Sequence, residues 1–315
     1  AQYRSAHIER QHALTRRVRH ADTKDAHLMT IDDLDTPALT IDLDILEQNI
    51  ATVATRCREH DILLRVHTKT HKIPEIARMQ MDAGAIGIAS QKVGEAEAMV
   101  AGGIEDILIP YNIVGGRKVD RLATLCEQAR MTVAADSETT VQGLSEGLSA
   151  KGTSACVLVE CDTGGGRCGV QTPEGARDLA RLIDKLPGLI LEGVMTYPSH
   201  ERAKPFLDEV RGLFFESGLP LNTISGGGTG SEATSKAIGC TEVRIGSYVF
   251  EGPTRINRNT NPPNPTTCAE RMICTVVSIP TPDRIIIDGG QKTFTSYAPT
   301  PYGYIVEHPD AKING

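Results

Sequence analysis

The sequence predicts an α/β protein: a (β/α)8 TIM-type barrel followed by a partial all-β C-terminal domain. Two observations carry this prediction. From residue 38 onward, short apolar runs alternate with amphipathic stretches of helical length, and eight such runs fall before residue 226. The runs are continuously apolar rather than alternating, the mark of parallel strands buried on both faces. An open doubly wound sheet is disfavoured because no G-x-G-x-x-G follows the first run, where a dinucleotide would need it.

Taken in order, the strands are expected at 38–42, 63–67, 85–89, 106–110, 131–135, 155–161, 189–196 and 222–225. Helices are expected at 44–60, 74–83, 92–101, 116–129, 137–149, 172–185, 200–217 and 231–238. Asp44 with Glu47 three residues on is a start signal, as are Pro74 and Pro173 at first helical positions. After Phe250 the texture changes. Residues 257–267 (NRNTNPPNPTT) read as a linker. The β-branched runs 269–279 and 284–288, with Pro280, Thr281, Pro282 and Asp283 between them, read as an antiparallel hairpin. The expected organisation is an N-terminal extension over 1–34, a barrel over 35–256, and a linker with the start of a β domain over 257–315, short for a domain with its own core.

Composition narrows the function. With 33 basic against 40 acidic side chains the net charge is −7, so no basic field exists for a phosphate backbone, and nucleic acid is not expected as a partner. Twelve aromatics without Trp leave little for base stacking, and no apolar run reaches the ~18 residues of a membrane span. Eight cysteines without a C-x-x-C pair read as reduced thiols of a cytoplasmic protein. Residues 1–28 carry five Arg and four His but no apolar core segment, so they do not read as a secretory signal.

Reactive groups of such barrels sit where strands end. The second run ends in Arg65-Val66-His67-Thr68-Lys69-Thr70-His71-Lys72, and period two places His67 and Lys69 on one face. A lysine at a buried strand's mouth has a lowered pKa and suits Schiff-base chemistry. Lys69 fits this role better than Lys72. The Gly-rich run Ser225 to Gly230 and Gly246-Ser247-Tyr248 offer amides and hydroxyls to a phosphate, in the region where barrels hold one. A phosphorylated aldehyde satisfies both features, and pyridoxal phosphate is the economical candidate.

These segments, with Gln91-Lys92-Val93-Gly94-Glu95-Ala96-Glu97, Gly166-Arg167-Cys168-Gly169-Val170, Met195-Thr196-Tyr197-Pro198, Thr241 to Tyr248 and Asp288-Gly289-Gly290-Gln291-Lys292, are collinear over most of 35–310. They resemble the D-threonine aldolase and D-serine dehydratase family, alanine-racemase-like enzymes of pyridoxal phosphate fold type III. The resemblance implies Lys69 as the lysine joined to the cofactor, Arg167 facing its ring nitrogen, Gln91 near its ring hydroxyl, Tyr197 beside the ring and His67 among the cofactor-binding residues. It places the phosphate on Ser225, Gly227, Gly228, Thr229, Gly246, Ser247 and Tyr248, although Tyr248 reads equally well as a core aromatic.

By the same resemblance the activity is retro-aldol cleavage of D-configured β-hydroxy-α-amino acids, giving glycine and an aldehyde. The catalytic set is then Lys69, Tyr197 and, as general base, His200, with His67 and His71 in reserve. A homodimer and a divalent ion (Mn²⁺, Zn²⁺ or Mg²⁺) are implied as well. The ion's His and Cys or Asp ligands are not seen in this chain, and His308-Pro309-Asp310 is a weak match for them. Alternatives are a D-serine or D-hydroxyaspartate dehydratase, a racemase using Tyr297, Tyr302 or Tyr304, and a pyridoxal phosphate carrier without lyase activity.

Overall fold

The computed structural model describes residues 30–251, 267–290, 292–293, 305–308, 310–311 and 313. The 1–29 extension, most of the 257–267 linker and Tyr297, Tyr302 and Tyr304 therefore lie outside the described residues. By its contacts the chain forms two units, Leu43–Asn261 and, separately, Ala1–Asp42 with Pro262–Gly315.

The larger unit is a closed parallel barrel. Its strands are β2 (Leu63–His67), β3 (Gly87–Ala89), β4 (Asp106–Asn112), β5 (Arg130–Ala135), β6 (Ala155–Cys161), β7 (Leu189–Thr196), β8 (Thr223–Gly227) and β9 (Glu242–Ile245), with β9 pairing back onto β2. Around them run α1 (Leu43–Glu59), α2 (Pro74–Asp82), α3 (Val93–Ala101), α4 (Gly116–Cys126), α5 (Glu138–Ala150), α6 (Pro173–Lys185), α7 (Lys204–Glu216), α8 (Glu232–Ala237) and α9 (Tyr248–Glu251). Pro74 and Pro173 do open their helices, and α1 begins at Leu43, one residue ahead of the Asp44 signal. Ser137 caps α5 by accepting from the Thr140 amide, and Thr172 caps α6 from Gly175.

One expectation is corrected at both ends of the barrel. Residues 38–42 are not its first strand, and Glu242–Ile245, which was not counted, is its last. β1 (Ala38–Ile41) belongs to the smaller unit, where it pairs antiparallel with β10 (Glu270–Ile273). Leu39 there is 58% exposed, so the run is not doubly buried. In β9 every residue is buried, yet Glu242 and Arg244 break the apolar pattern that a strand search reads.

Those charges are tolerated because the interior is divided. Ala89, Leu108, Ala134, Leu158 and Met195, one from each of β3 to β7, form an apolar layer. Register carries the same inward face onward: Ala89 pairs with His67, Arg65 with Arg244, Arg244 with Gly227, Ser225 with Met195, and Met195 with Glu160. On that side polar groups satisfy one another. Arg65 Nη1 donates to Asp106 Oδ1 (2.6 Å) and its Nε to Glu242 Oε2 (2.9 Å), while Ser225 Oγ donates to Glu242 Oε1. Arg244 donates from Nη1 to Ser225 Oγ and from Nη2 to Thr196 O (2.9 Å). Buried charges persist only when so paired. Gly87 makes room for the network, since a Cβ there would lie 2.8 Å from Asp106 Oδ1 and closer still to Arg65 Nη1.

In the smaller unit β11 (Val276–Thr281) and β12 (Arg284–Ile287) form the hairpin expected from the turn Pro280 to Asp283. The strand before it, β10, turns to β1 instead of extending the hairpin. All eight cysteines are free thiols, and among the described residues no helix is long and apolar enough to cross a membrane.

Candidate active site

The site is built where β2, β6, β7, β8 and β9 end. β2 stops at His67, and Lys69 stands on the 3-10 turn Thr68–Thr70, not on the strand as alternation suggested. Thr68 anchors this turn by donating to Ala89 O (3.2 Å). Gly246 packs directly on it: a Cβ there would lie 2.6 Å from His67 O and 3.0 Å from Thr70 Oγ1. Only glycine lets the loop after β9 approach the lysine turn so closely.

The Lys69 amine is held below its ordinary pKa, first by loss of hydration and then by the Arg167 and Arg244 cations, with Glu95 acting in the opposite sense. His67 is buried and its pKa is pushed down to about 3, by desolvation first and by Lys69 and Arg244 next; its bond to the Gln91 side chain opposes the shift. His67 is therefore a neutral ring whose Nδ1 accepts from the Lys69 backbone amide (3.4 Å). Glu95 accepts the Gln91 amide (2.8 Å) and pairs with Lys72 (3.3 Å), which engages Lys72 away from the Lys69 role. His71 is buried, its Nδ1 accepts from the Ile73 amide while its Nε2 is buried without a partner, and burial lowers its pKa to about 4.

Facing the amine, the loop after β6 presents Arg167. Asp162 Oδ1 accepts the Gly164 and Gly166 amides (3.0 and 3.1 Å), and Asp136 Oδ2 accepts the Gly169 amide (3.0 Å). Gly169, at φ +123°, sits against the Asp162 amide where no Cβ fits. The Arg167 guanidinium lies 5.2 Å from the Tyr197 ring centroid. Tyr197 precedes a cis proline and flanks Gly227, whose Cβ would lie 3.2 Å from Tyr197 Cδ2. His200 caps a short 3-10 turn, and both its ring nitrogens are buried without a partner; a Cβ on Gly164 would lie 3.5 Å from its Nε2.

The two glycine loops meet. Thr229 Oγ1 and Ser247 Oγ lie 2.9 Å apart, Ser199 Oγ accepts the Gly227 amide (2.9 Å), and Gly228 turns at φ +126°. The Ser225 contact is corrected, and of the two readings of Tyr248 the core aromatic holds. The Ser225 hydroxyl is consumed by Glu242 and Arg244 inside the barrel, and the Tyr248 ring is wholly buried with its oxygen accepting from Gln80 Nε2 (2.7 Å). Neither side chain is offered to a ligand. Sequence reasoning missed Arg65, Glu160, Glu242 and Arg244, whose signal was a charge inside an otherwise buried run.

A phosphorylated pyridine aldehyde fits what is present: an amine with a lowered pKa, glycine loops with no Cβ room at Gly246, the Thr229 and Ser247 hydroxyls, an arginine and an aromatic wall. Among the described residues no three His, Cys, Asp or Glu side chains gather to hold a divalent ion, and His308 and Asp310 are exposed.

Fold and site define a closed α/β barrel with one lysine of lowered pKa at its mouth beside two glycine loops. The chain belongs to the family described as "Alanine racemase, N-terminal domain", whose profile matches residues 41–252. It is 37% identical over 278 residues to D-threonine aldolase of Arthrobacter sp., covering 84% of this chain and 73% of that protein. Against 3-hydroxy-D-aspartate aldolase of Paracoccus denitrificans it is 34% identical, over 69% of this chain and 61% of the relative. The solved structure of D-threonine aldolase from Filomicrobium marinum superposes with a TM-score of 0.77 at 34% identity, covering 84% of this chain and 75% of that one.

Proposed function

We propose that this protein is a pyridoxal phosphate-dependent lyase that cleaves D-configured β-hydroxy-α-amino acids to glycine and an aldehyde. The observation that carries this reading is Lys69: an amine of lowered pKa on a turn pressed against Gly246 and opposed by Arg167. Two aldolase relatives, aligned over 84% and 69% of the chain, support it.

Lys69 would hold the cofactor, which when bound withdraws electrons from the substrate Cα and so permits a bond there to break. Arg167 would face the ring nitrogen, Gln91 with neutral His67 the ring hydroxyl, and Tyr197 one face. The hydroxyls of Thr229 and Ser247 and the backbone of Gly246 would take the phosphate, with Gly227 and Gly228, whose amides are bound to Ser199 Oγ and Arg244 O, leaving it room. His200, whose Nε2 is buried and unpartnered beside Gly164, would accept the β-hydroxyl proton. Among the described residues no His, Cys, Asp or Glu side chains gather as a metal site, so no residue is assigned to an ion. A homodimer is part of this proposal and is read by light scattering.

The test is reconstitution with pyridoxal phosphate. A visible absorbance band is expected, lost in Lys69→Ala. D-threonine, and not L-threonine, should then release acetaldehyde and glycine. His200→Asn should keep the band and lower kcat by roughly 10²–10⁴-fold. Release of a 2-oxo acid from D-serine in place of the aldehyde overturns the aldolase reading in favour of dehydration; a retained band with no turnover marks a carrier.

A further inference from the structure

The cluster that this function leaves unused is the carboxylate behind Arg167. Glu160, the penultimate residue of β6, is 2% exposed. Its Oε1 accepts from Cys168 Sγ (3.2 Å) and pairs with Arg167 Nη2 (3.5 Å), while Oε2 is buried without a partner. A buried carboxylate with a spare oxygen is costly unless a cation answers it, and two do: Arg167, in contact, and Arg244, through the field. The β6 loop returns on itself so that Val170 N donates to Glu160 O (2.8 Å), which fixes the strand end and the arginine relative to one another. The Arg167 side chain is otherwise 59% exposed, a loop cation that water would draw outward. Glu160 on one side and the Tyr197 ring on the other hold it over the mouth.

We propose that Glu160 is the positioning residue of this site: it clasps the Arg167 guanidinium so that the group facing the ring nitrogen of a bound pyridoxal phosphate is a fixed cation. The ring-nitrogen clause rests on the cofactor reading above. The consequence at Lys69 does not, because Arg167 lowers that amine's pKa whether or not a ligand is present. The charged groups around the amine are Arg167 from the β6 loop, Arg244 from β9, Glu95 from α3 and the neutral His67 ring from β2.

The sign of one measurement separates positioning from simple charge. Deleting a negative carboxylate, by direct electrostatics, makes a nearby ammonium less stable and lowers the amine pKa. Releasing Arg167 into solvent removes a cation and raises it. The pH dependence of the rate at which added pyridoxal 5′-phosphate develops its visible band on the apoprotein reports the free Lys69 amine. We expect the midpoint to rise by about half a unit to one unit in Glu160→Gln, at or below the low end of a neighbouring-charge effect. Arg167→Met should rise as far, and the double variant should rise no further, since both remove one interaction. Glu160→Asp, which keeps the charge and withdraws it by one methylene, should show a smaller rise, and it serves if the glutamine protein does not fold. A midpoint that falls or stays put in the Glu160 variants, or effects of Glu160→Gln and Arg167→Met that add, overturns the proposal while leaving the cofactor reading intact. A wild-type protein that develops no band at all overturns both.

Discussion

Strand β9 and the hairpin β11–β12 are opposites in composition and in burial. β9 reads Glu-Val-Arg-Ile, half charged, and all four residues are buried. The hairpin strands read Val-Val-Ser-Ile-Pro-Thr and Arg-Ile-Ile-Ile, yet Val277 is 60% and Ile279 68% exposed. Hydropathy alone would have exchanged the two. Closure of the barrel has no free edge, so whatever occupies its last position is enclosed, and its polar groups must find partners inside. A two-stranded hairpin has two faces and two edges and cannot bury them by itself.

The sharpest way to break that contrast is Glu242→Leu, which leaves Arg65 and Arg244 facing each other without their shared anion. A loss of about 3–5 kcal/mol in denaturant unfolding is expected, as for other severed buried pairs; a neutral result would mean the interior network does not stabilise the barrel. Next comes pH. His67 and His71 are held near 3 and 4 in the folded protein against 6.5 when free, so the unfolded chain binds their protons first. Stability should be intact above about 6.5 and fall as pH drops toward 4, at up to about 3 kcal/mol per unit for the pair. His67→Gln with His71→Gln should flatten that slope in pH-dependent unfolding. The smallest effect belongs to the hairpin: Ile279→Thr should change stability by no more than about 0.5 kcal/mol, as for exposed positions generally, and a larger loss would show that its apolar face is covered in solution.

The site was legible where its chemistry needs a residue type that cannot be replaced. Lys69, Arg167, Gly227, Gly228, Thr229, Gly246 and Ser247 stand out because a primary amine, a fixed cation and backbone without Cβ leave their mark in the sequence itself, and the structure gathers them around one mouth. Ser225 fails as a phosphate contact, and Tyr248 takes the core reading of its two, because a hydroxyl's partner depends on which face of a strand or helix is enclosed. Glu160 and Arg244 went unseen for the same reason: a charge in a strand run says only that something must answer it.

The order of chain elements, their parallel character and the lysine with its glycine loops were written in period, run length and residue type, since these act over a few neighbours. Which run closes the barrel, which joins β10, and which carboxylate holds Arg167 were decided only when strands far apart in sequence came into register. Pairing between distant segments depends on the complementarity of whole faces, and no local window of sequence contains it.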